Sequence, residues 1–256
     1  MFLYFCSEYV LRLALVGSGE YTAAMTDVEA ELIEAGMRFG KREGFIQFAT
    51  AAGQESKSRI EYWRELGCKQ AERIGVKCKF IPVLNREDAL NSEHLETISG
   101  ASLIYFSGGD PIHLAKSLHA TQLLKFIKEE FISGSSLAGC SAGAMAMSSE
   151  TAIHWRKNKE RHTGFEILPN TQILPHYDRY FSRIPMPIQN LITGAAKSHK
   201  TIGIDEDTAV IWNDGKWQVK GRSKVHLLSP KLEGAKSGYV SGENIDWLEN
   251  PLPDYN

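Results

Sequence analysis

Cysteine is scarce. Cys6, Cys68, Cys78 and Cys140 are scattered over 256 residues, with no C-x-x-C pair among them. That spacing argues against a disulfide scaffold and a structural zinc site, and reduced thiols are expected. Charge of one sign is also lacking: 29 Lys and Arg face 31 Asp and Glu, a formal net charge of -2. With no strong field, neither nucleic acid nor a membrane is expected as a partner. No apolar run reaches the ~20 residues of a membrane span. The opening MFLYFCSEYV comes nearest, but Glu8 and Arg12 interrupt it, and it has neither a basic start nor a small-residue cleavage site. Residues 1–10 are read as an irregular extension, and a cytoplasmic location is expected. Repeats, low-complexity tracts and linkers rich in Pro, Gly or Ser are absent, so residues 1–256 are expected to form one domain.

What is present is an ordinary globular balance, 43% hydrophobic and 23% charged, enough for a substantial core. Short apolar runs alternate with amphipathic stretches. Strands are expected at Leu11–Val16, Gly44–Ala51, Lys79–Leu84, Ser102–Phe106 and Leu137–Cys140. Helices are expected at Thr26–Arg38, Ser56–Leu66, Asn85–Ile98 with Asn85 as N-cap, Pro111 to about Ile132, and Ala142–Ser148. This pattern reads as an α/β fold, a mostly parallel sheet with helices on both faces. Its glycine-rich breaks fall at the carboxyl ends of the strands, where such sheets bind ligands. After residue 165 the texture shifts. Two short extended pieces are expected within Phe165–Tyr177, then a helix at Ile188–Lys197. A C-terminal β-meander follows: Ile202–Ile204, Thr208–Trp212, a turn at Asn213-Asp214-Gly215, Trp217–Val219 and Val225–Leu228.

Gly139-Cys140-Ser141-Ala142-Gly143 fits G-x-S-x-G, with an apolar strand before it and a small-residue helix after it. A serine on such a sharp turn is pushed clear of the sheet as a nucleophile. The competing reading is a tight turn in which Ser141 only caps the helix. Cys140 is a rival nucleophile, but its position turns inward and a buried, inert thiol is expected.

Serine needs a base. His176, in Leu174-Pro175-His176-Tyr177, stands where a strand gives way to a turn. His154 and His162, in the polar HWRKNKERH stretch expected to be a solvated loop, are its rivals. The acid that would orient the imidazole is Glu206, in Gly203-Ile204-Asp205-Glu206-Asp207-Thr208, with Glu150 and Glu160 as alternatives. The order Ser, His, Glu departs from the Ser, acid, His order of α/β-hydrolases and argues against a lipase or esterase. Ser107-Gly108-Gly109-Asp110-Pro111 joins a strand to a helix, so the Gly109 N–H could join that of Ala142 in an oxyanion hole; a turn that merely needs glycine is the alternative.

Together LALVGSGEY, YFSGGD, AGCSAGAMAMS, ILPHYDRYFSR and TIGIDEDTAV resemble the dipeptidase E and cyanophycinase family of serine peptidases over nearly the whole chain. The resemblance implies a class I glutamine amidotransferase-like, flavodoxin-like sandwich. It implies Ser141 as nucleophile, His176 as base, Glu206 as orienting acid, and Gly109 and Ala142 as oxyanion donors. Asp110, Arg179 and Arg183 are the candidate substrate contacts. The turn Gly108-Gly109-Asp110-Pro111 departs from the family's GGGN-like and GGDQ-like forms, and the arginines stand in shifted positions, so the machinery transfers better than the substrate. The implied activity is hydrolysis of a small peptide or amide through an acyl-enzyme, without metal or organic cofactor. A homodimer stays open, as do an esterase, a non-catalytic binding module and an amidotransferase subunit.

Overall fold

Leu13, Ala14, Leu15 and Val16 are all fully buried, because the first strand lies inside a sheet covered on both faces. The computed structural model describes residues 11–153, 160–184, 200–213, 215–229 and 234–252; residues 1–10 and the helix expected at Ile188–Lys197 lie outside them. The first half runs β1 (Arg12–Val16), α1 (Thr26–Arg38), β2 (Arg42–Phe48), α2 (Lys57–Ile74), β3 (Cys78–Ile81), α3 (Glu93–Ile98), β4 (Ala101–Phe106), α4 (Pro111–Leu118), α5 (Gln122–Ile132), β5 (Ser136–Cys140) and α6 (Ala142–Ala146). The second half runs β6 (Glu150–Ile153), β7 (Glu160–Thr163), β8 (Thr171–Leu174), α7 (Tyr177–Tyr180), β9 (Lys200–Ile204), β10 (Thr208–Asn213), β11 (Lys216–Gly221), β12 (Lys224–Ser229), β13 (Gly238–Val240) and β14 (Asn244–Ile245).

The main sheet has the order β14-β11-β10-β1-β5-β4-β2-β3. Its five strands from β1 to β3 are mutually parallel, and β10, β11 and β14 continue it antiparallel beyond β1. Alternate side chains divide the core in two, as the pleat requires. Leu13, Leu15, Ile104 and Phe106 pack with α4 and α5. Ala14, Val16, Leu103 and Tyr105 pack with α1 and α2. The fold class is therefore α/β with helices on both faces, as expected.

The meander is divided between two sheets. β10 and β11 form the expected hairpin in the main sheet. β12 instead joins a second sheet of order β13-β12-β9-β8, which packs on the α4–α5 side of the core through Ile173, Ile202 and Val225. No helix among the described residues is long and apolar enough to cross a membrane.

Local chemistry corrects three boundaries. The helix expected over Pro111–Ile132 is two helices, because Ala120 has φ 53 and Thr121 starts α5 by accepting the Leu124 N–H at 3.2 Å. The helix expected from Asn85 is only α3. The Asn85 side chain accepts the Asp88 N–H, and the Asp88 carboxylate accepts those of Leu84 and Asn85, closing a turn that competes with a helix. The polar stretch from His154 to His162 is not simply a loop, since Glu160–Thr163 is β7, paired antiparallel with β6; His154 and the rest of residues 154–159 lie outside the described residues.

Candidate active site

Ser141 sits between β5 and α6 with φ 50 and ψ -110, a conformation that costs a non-glycine residue about 1–3 kcal/mol. Its surroundings enforce it. A Cβ on Gly139 would lie 2.4 Å from the Gly143 carbonyl carbon, and one on Gly143 2.2 Å from the Phe106 oxygen. The Ser141 N–H donates to Val16 O at 2.9 Å, binding the turn to β1. Only glycine at both flanks lets the backbone fold this tightly, and the hydroxyl is presented at the carboxyl end of the sheet.

His176 follows β8 and Pro175 in a left-handed conformation, φ 51, at the start of α7. Its Nε2 is 3.1 Å from Ser141 Oγ and its Nδ1 2.9 Å from Glu206 Oε1. An ionised carboxylate only accepts, so Nδ1 carries the proton and Nε2 of the neutral ring faces the serine as acceptor. Glu206 follows β9. Its carboxyl is held below the usual carboxylate range, first by the His176 hydrogen bond and then by the 3.3 Å bond from Arg179, despite an opposing effect of burial. Its backbone N–H donates to Asp178 Oδ1 at 3.0 Å. The structure thus brings Ser141, His176 and Glu206 into one hydrogen-bonded chain.

Two of the rival groups have partners of their own. Glu150 pairs with Arg161 at 3.5 Å, and the His162 ring packs on His119 with its Nδ1 on Thr163 O. Glu160 stands at the start of β7, paired in register with Ile153. Cys140 is fully buried, and burial, then the neighbouring Glu20, pushes its thiol well above the ordinary value.

The turn after β4 lies beside Ser141: a Cβ on Gly108 would be 3.4 Å from Ser141 Cβ. Gly109 has φ 140, and a Cβ there would meet the Ala51 carbonyl carbon at 2.4 Å, so glycine is required. Asp110 caps α4, its Oδ1 accepting the Ile112 and His113 N–H groups at 2.8 and 3.0 Å. Among the described residues no acceptor takes the N–H of Gly109 or Ala142. Arg179 is largely exposed and lies over the Tyr180 ring, which in turn meets the His176 ring edge-on at 5.7 Å. Arg183 is exposed beyond α7, with no contact to the Ser141–His176–Glu206 chain among the described residues.

Sequence reasoning missed the support behind these groups. Asp205 is 3% exposed and receives bonds from His226 at 2.9 Å and Ser223 at 2.7 Å. The His226 ring packs on Tyr177 at 4.5 Å, and Tyr177 lies so close to β9 that a Cβ on Gly203 would be 2.5 Å from its ring. This stack holds the residues next to both His176 and Glu206. Glu20 was missed as well. No local pattern marks these residues, since their partners lie far away along the chain. No group of three His, Cys, Asp or Glu side chains suited to a metal ion occurs among the described residues.

Comparison with known proteins adds an independent line. The family model of peptidase family S51 matches residues 13–220. The cyanophycinase of Synechococcus elongatus is 27% identical over 205 residues, 77% of this chain and 59% of its own length. That of Trichormus variabilis is 27% identical over 208 residues, 75% of this chain and 66% of its own length. The chain therefore spans under two thirds of these relatives. A crystal structure of a peptidase from an acI-B1 actinobacterium superposes with TM-score 0.84 at 44% identity, covering 93% of this chain and 97% of that one. A protein described as Peptidase E from Listeria monocytogenes EGD-e gives TM-score 0.58 at 20% identity over 84% of this chain and 100% of that one, which shows a shared fold.

Proposed function

Because the chain belongs to peptidase family S51, we propose that it is a serine peptidase that hydrolyses a small peptide or amide through an acyl-enzyme on Ser141. The observation that carries this reading is the Ser141–His176–Glu206 chain, with links of 3.1 and 2.9 Å, on a serine held at φ 50.

In the first step Ser141 Oγ attacks the scissile carbonyl carbon while His176 Nε2 takes its proton. Glu206 stabilises the imidazolium that results. The carbonyl electrons move onto oxygen, and the Gly109 and Ala142 N–H groups receive that charge. His176 then protonates the leaving nitrogen as the C–N bond breaks. Water, deprotonated by His176, attacks the acyl-enzyme, and its collapse frees the carboxylic acid and returns the proton to Ser141. The substrate class we favour is an aspartyl dipeptide or a cyanophycin-like amide. Its support is the cyanophycinase relatives and the exposed Arg179, whose fork suits a substrate carboxylate beside the site. Arg183 and Asp110 are the further contacts we propose.

Labelling with a fluorophosphonate probe tests the chemistry. The protein should be labelled on Ser141, and Ser141→Ala should abolish the signal. Well-folded wild-type protein that resists the probe, or labelling that persists in Ser141→Ala, would refute the mechanism.

A further inference from the structure

Glu20 follows the glycines that end β1 and is 9% exposed. Its Oε1 accepts the Gly108 N–H at 3.0 Å, and its Oε2 accepts the Cys140 S–H at 2.8 Å. The two donors belong to different loops. Gly108 lies in the turn after β4, next to Gly109, and Cys140 is the last residue of β5, immediately before Ser141. A Cβ on Gly108 would lie 2.9 Å from Glu20 Oε1 and 3.4 Å from Ser141 Cβ, so carboxylate, turn and nucleophile are packed together.

Among the described residues no Lys or Arg pairs with Glu20, and the donors its oxygens meet are the Gly108 N–H and the Cys140 S–H. An apolar side chain would fill the space, but it could not accept the Gly108 N–H. A buried acceptor spanning two loops of the site therefore points to a role in holding them.

We propose that Glu20 is a positioning residue for the oxyanion hole. It draws the Gly108 N–H away from the substrate and fixes that peptide plane. The direction in which the Gly109 peptide leaves, and so the aim of the Gly109 N–H, is then set before substrate arrives. The bond to Cys140 ties this clamp to the strand that carries Ser141, so that the Gly109 and Ala142 donors keep a constant separation. The hole consequently has two backbone donors, although three N–H groups lie near the nucleophile. This inference rests on the acyl-transfer reading of Ser141.

Removing one oxyanion donor typically costs on the order of 10²–10³ in rate, which sets the scale for misaiming one. The test is saturation kinetics of fluorophosphonate labelling, which separates reversible probe binding from the rate of phosphonylation. Glu20→Asp keeps the charge but withdraws the acceptor from Gly108. It should slow phosphonylation on the order of 10²-fold at unchanged probe binding. Glu20→Gln keeps an acceptor for Gly108 and should recover to within about 10-fold of wild type. Glu20→Asp that is folded and phosphonylated at the wild-type rate would overturn the proposal. So would Glu20→Gln as slow as Glu20→Asp, because the acceptor would then not be what matters. Wild-type protein that resists the probe overturns both readings, whereas normal labelling with indifferent Glu20 variants overturns this one alone.

Discussion

Glu29 gives a quantitative handle on the buried polar layer beneath the site. It is fully buried among Tyr21, Gln70 and Tyr105, and burial, opposed by hydrogen bonds from Gln70 and Tyr21, pushes its carboxyl up from 4.5 to about 8. The folded protein therefore binds a proton here that the unfolded chain releases above pH 4.5. Unfolding loses that proton, so stability falls as pH rises through this window, with a limiting slope of about 1.4 kcal/mol per pH unit. Near pH 8 the slope flattens as the folded group ionises, leaving a decline of about 2 kcal/mol between pH 6 and pH 8. Glu29→Gln cannot titrate. Its absolute stability also depends on how the amide meets the Gln70 Nε2 and the Tyr21 N–H, which both donate to the wild-type carboxyl. The pH dependence is free of that term. Urea unfolding of both proteins at half-unit steps from pH 5 to 8 should show the variant gaining on wild type by about 2 kcal/mol across the upper two units. A constant difference between the two curves would refute the reasoning, because it would mean that Glu29 ionises alike in folded and unfolded chains.

Three further outcomes are expected. Glu206→Gln replaces an acceptor-only carboxylate by a neutral amide whose NH2 can donate to His176 Nδ1, so the tautomer protonated on Nε2 competes and the imidazolium loses its counter-charge; kcat should fall about 10²–10⁴-fold with little change in KM, measured at unchanged circular dichroism. Gly143→Ala places a Cβ 2.2 Å from the Phe106 oxygen, so strand and elbow must separate; a loss of about 1–3 kcal/mol in thermal stability should accompany a loss of phosphonylation of at least about 10²-fold. Burial alone would push the Asp205 carboxyl up, but bonds from His226, Ser223 and Lys224 outweigh it and hold the group below its ordinary value. Its stabilising contribution is thus present above the usual carboxylate pKa near 4 and is lost as pH falls through the lowered one. His226→Gln should lose stability relative to wild type at pH 5, and the gap should narrow by pH 3 in urea titrations.

The features legible in the sequence are those encoded by neighbours. The elbow is a pentapeptide, and its two glycines are required by contacts within a few residues or with the adjacent strand. The α/β alternation is likewise local, and the five parallel strands lie where the apolar runs stand. Errors arose where periodicity persisted through a break. Apolar spacing runs from Leu114 through Ile127, but Ala120 turns left-handed and Thr121 restarts the helix. The Asn85 region failed because Asn85 and Asp88 satisfy each other's backbone, which no hydrophobic pattern reports. Glu20 was out of reach for a different reason, since its bonds span 88 and 120 residues and nothing beside it announces them.

Adjacent Cys140 and Ser141 show how far one residue of register decides the chemistry. A thiolate is intrinsically the better nucleophile, and a cysteine at position 141 would suit the same histidine. Cys140, however, is the last residue of β5, where the pleat turns it into the layer shared with α1 and α2. There burial and the Glu20 charge keep it a thiol, and its proton is committed to Glu20. Ser141, one position on, leaves the pleat at φ 50 and meets the imidazole instead. The same turn that makes the serine available withdraws the thiol. The residue of higher intrinsic reactivity is thereby bonded to the support beneath Ser141, and in the mechanism we propose it is the serine, activated by His176 and Glu206, that attacks.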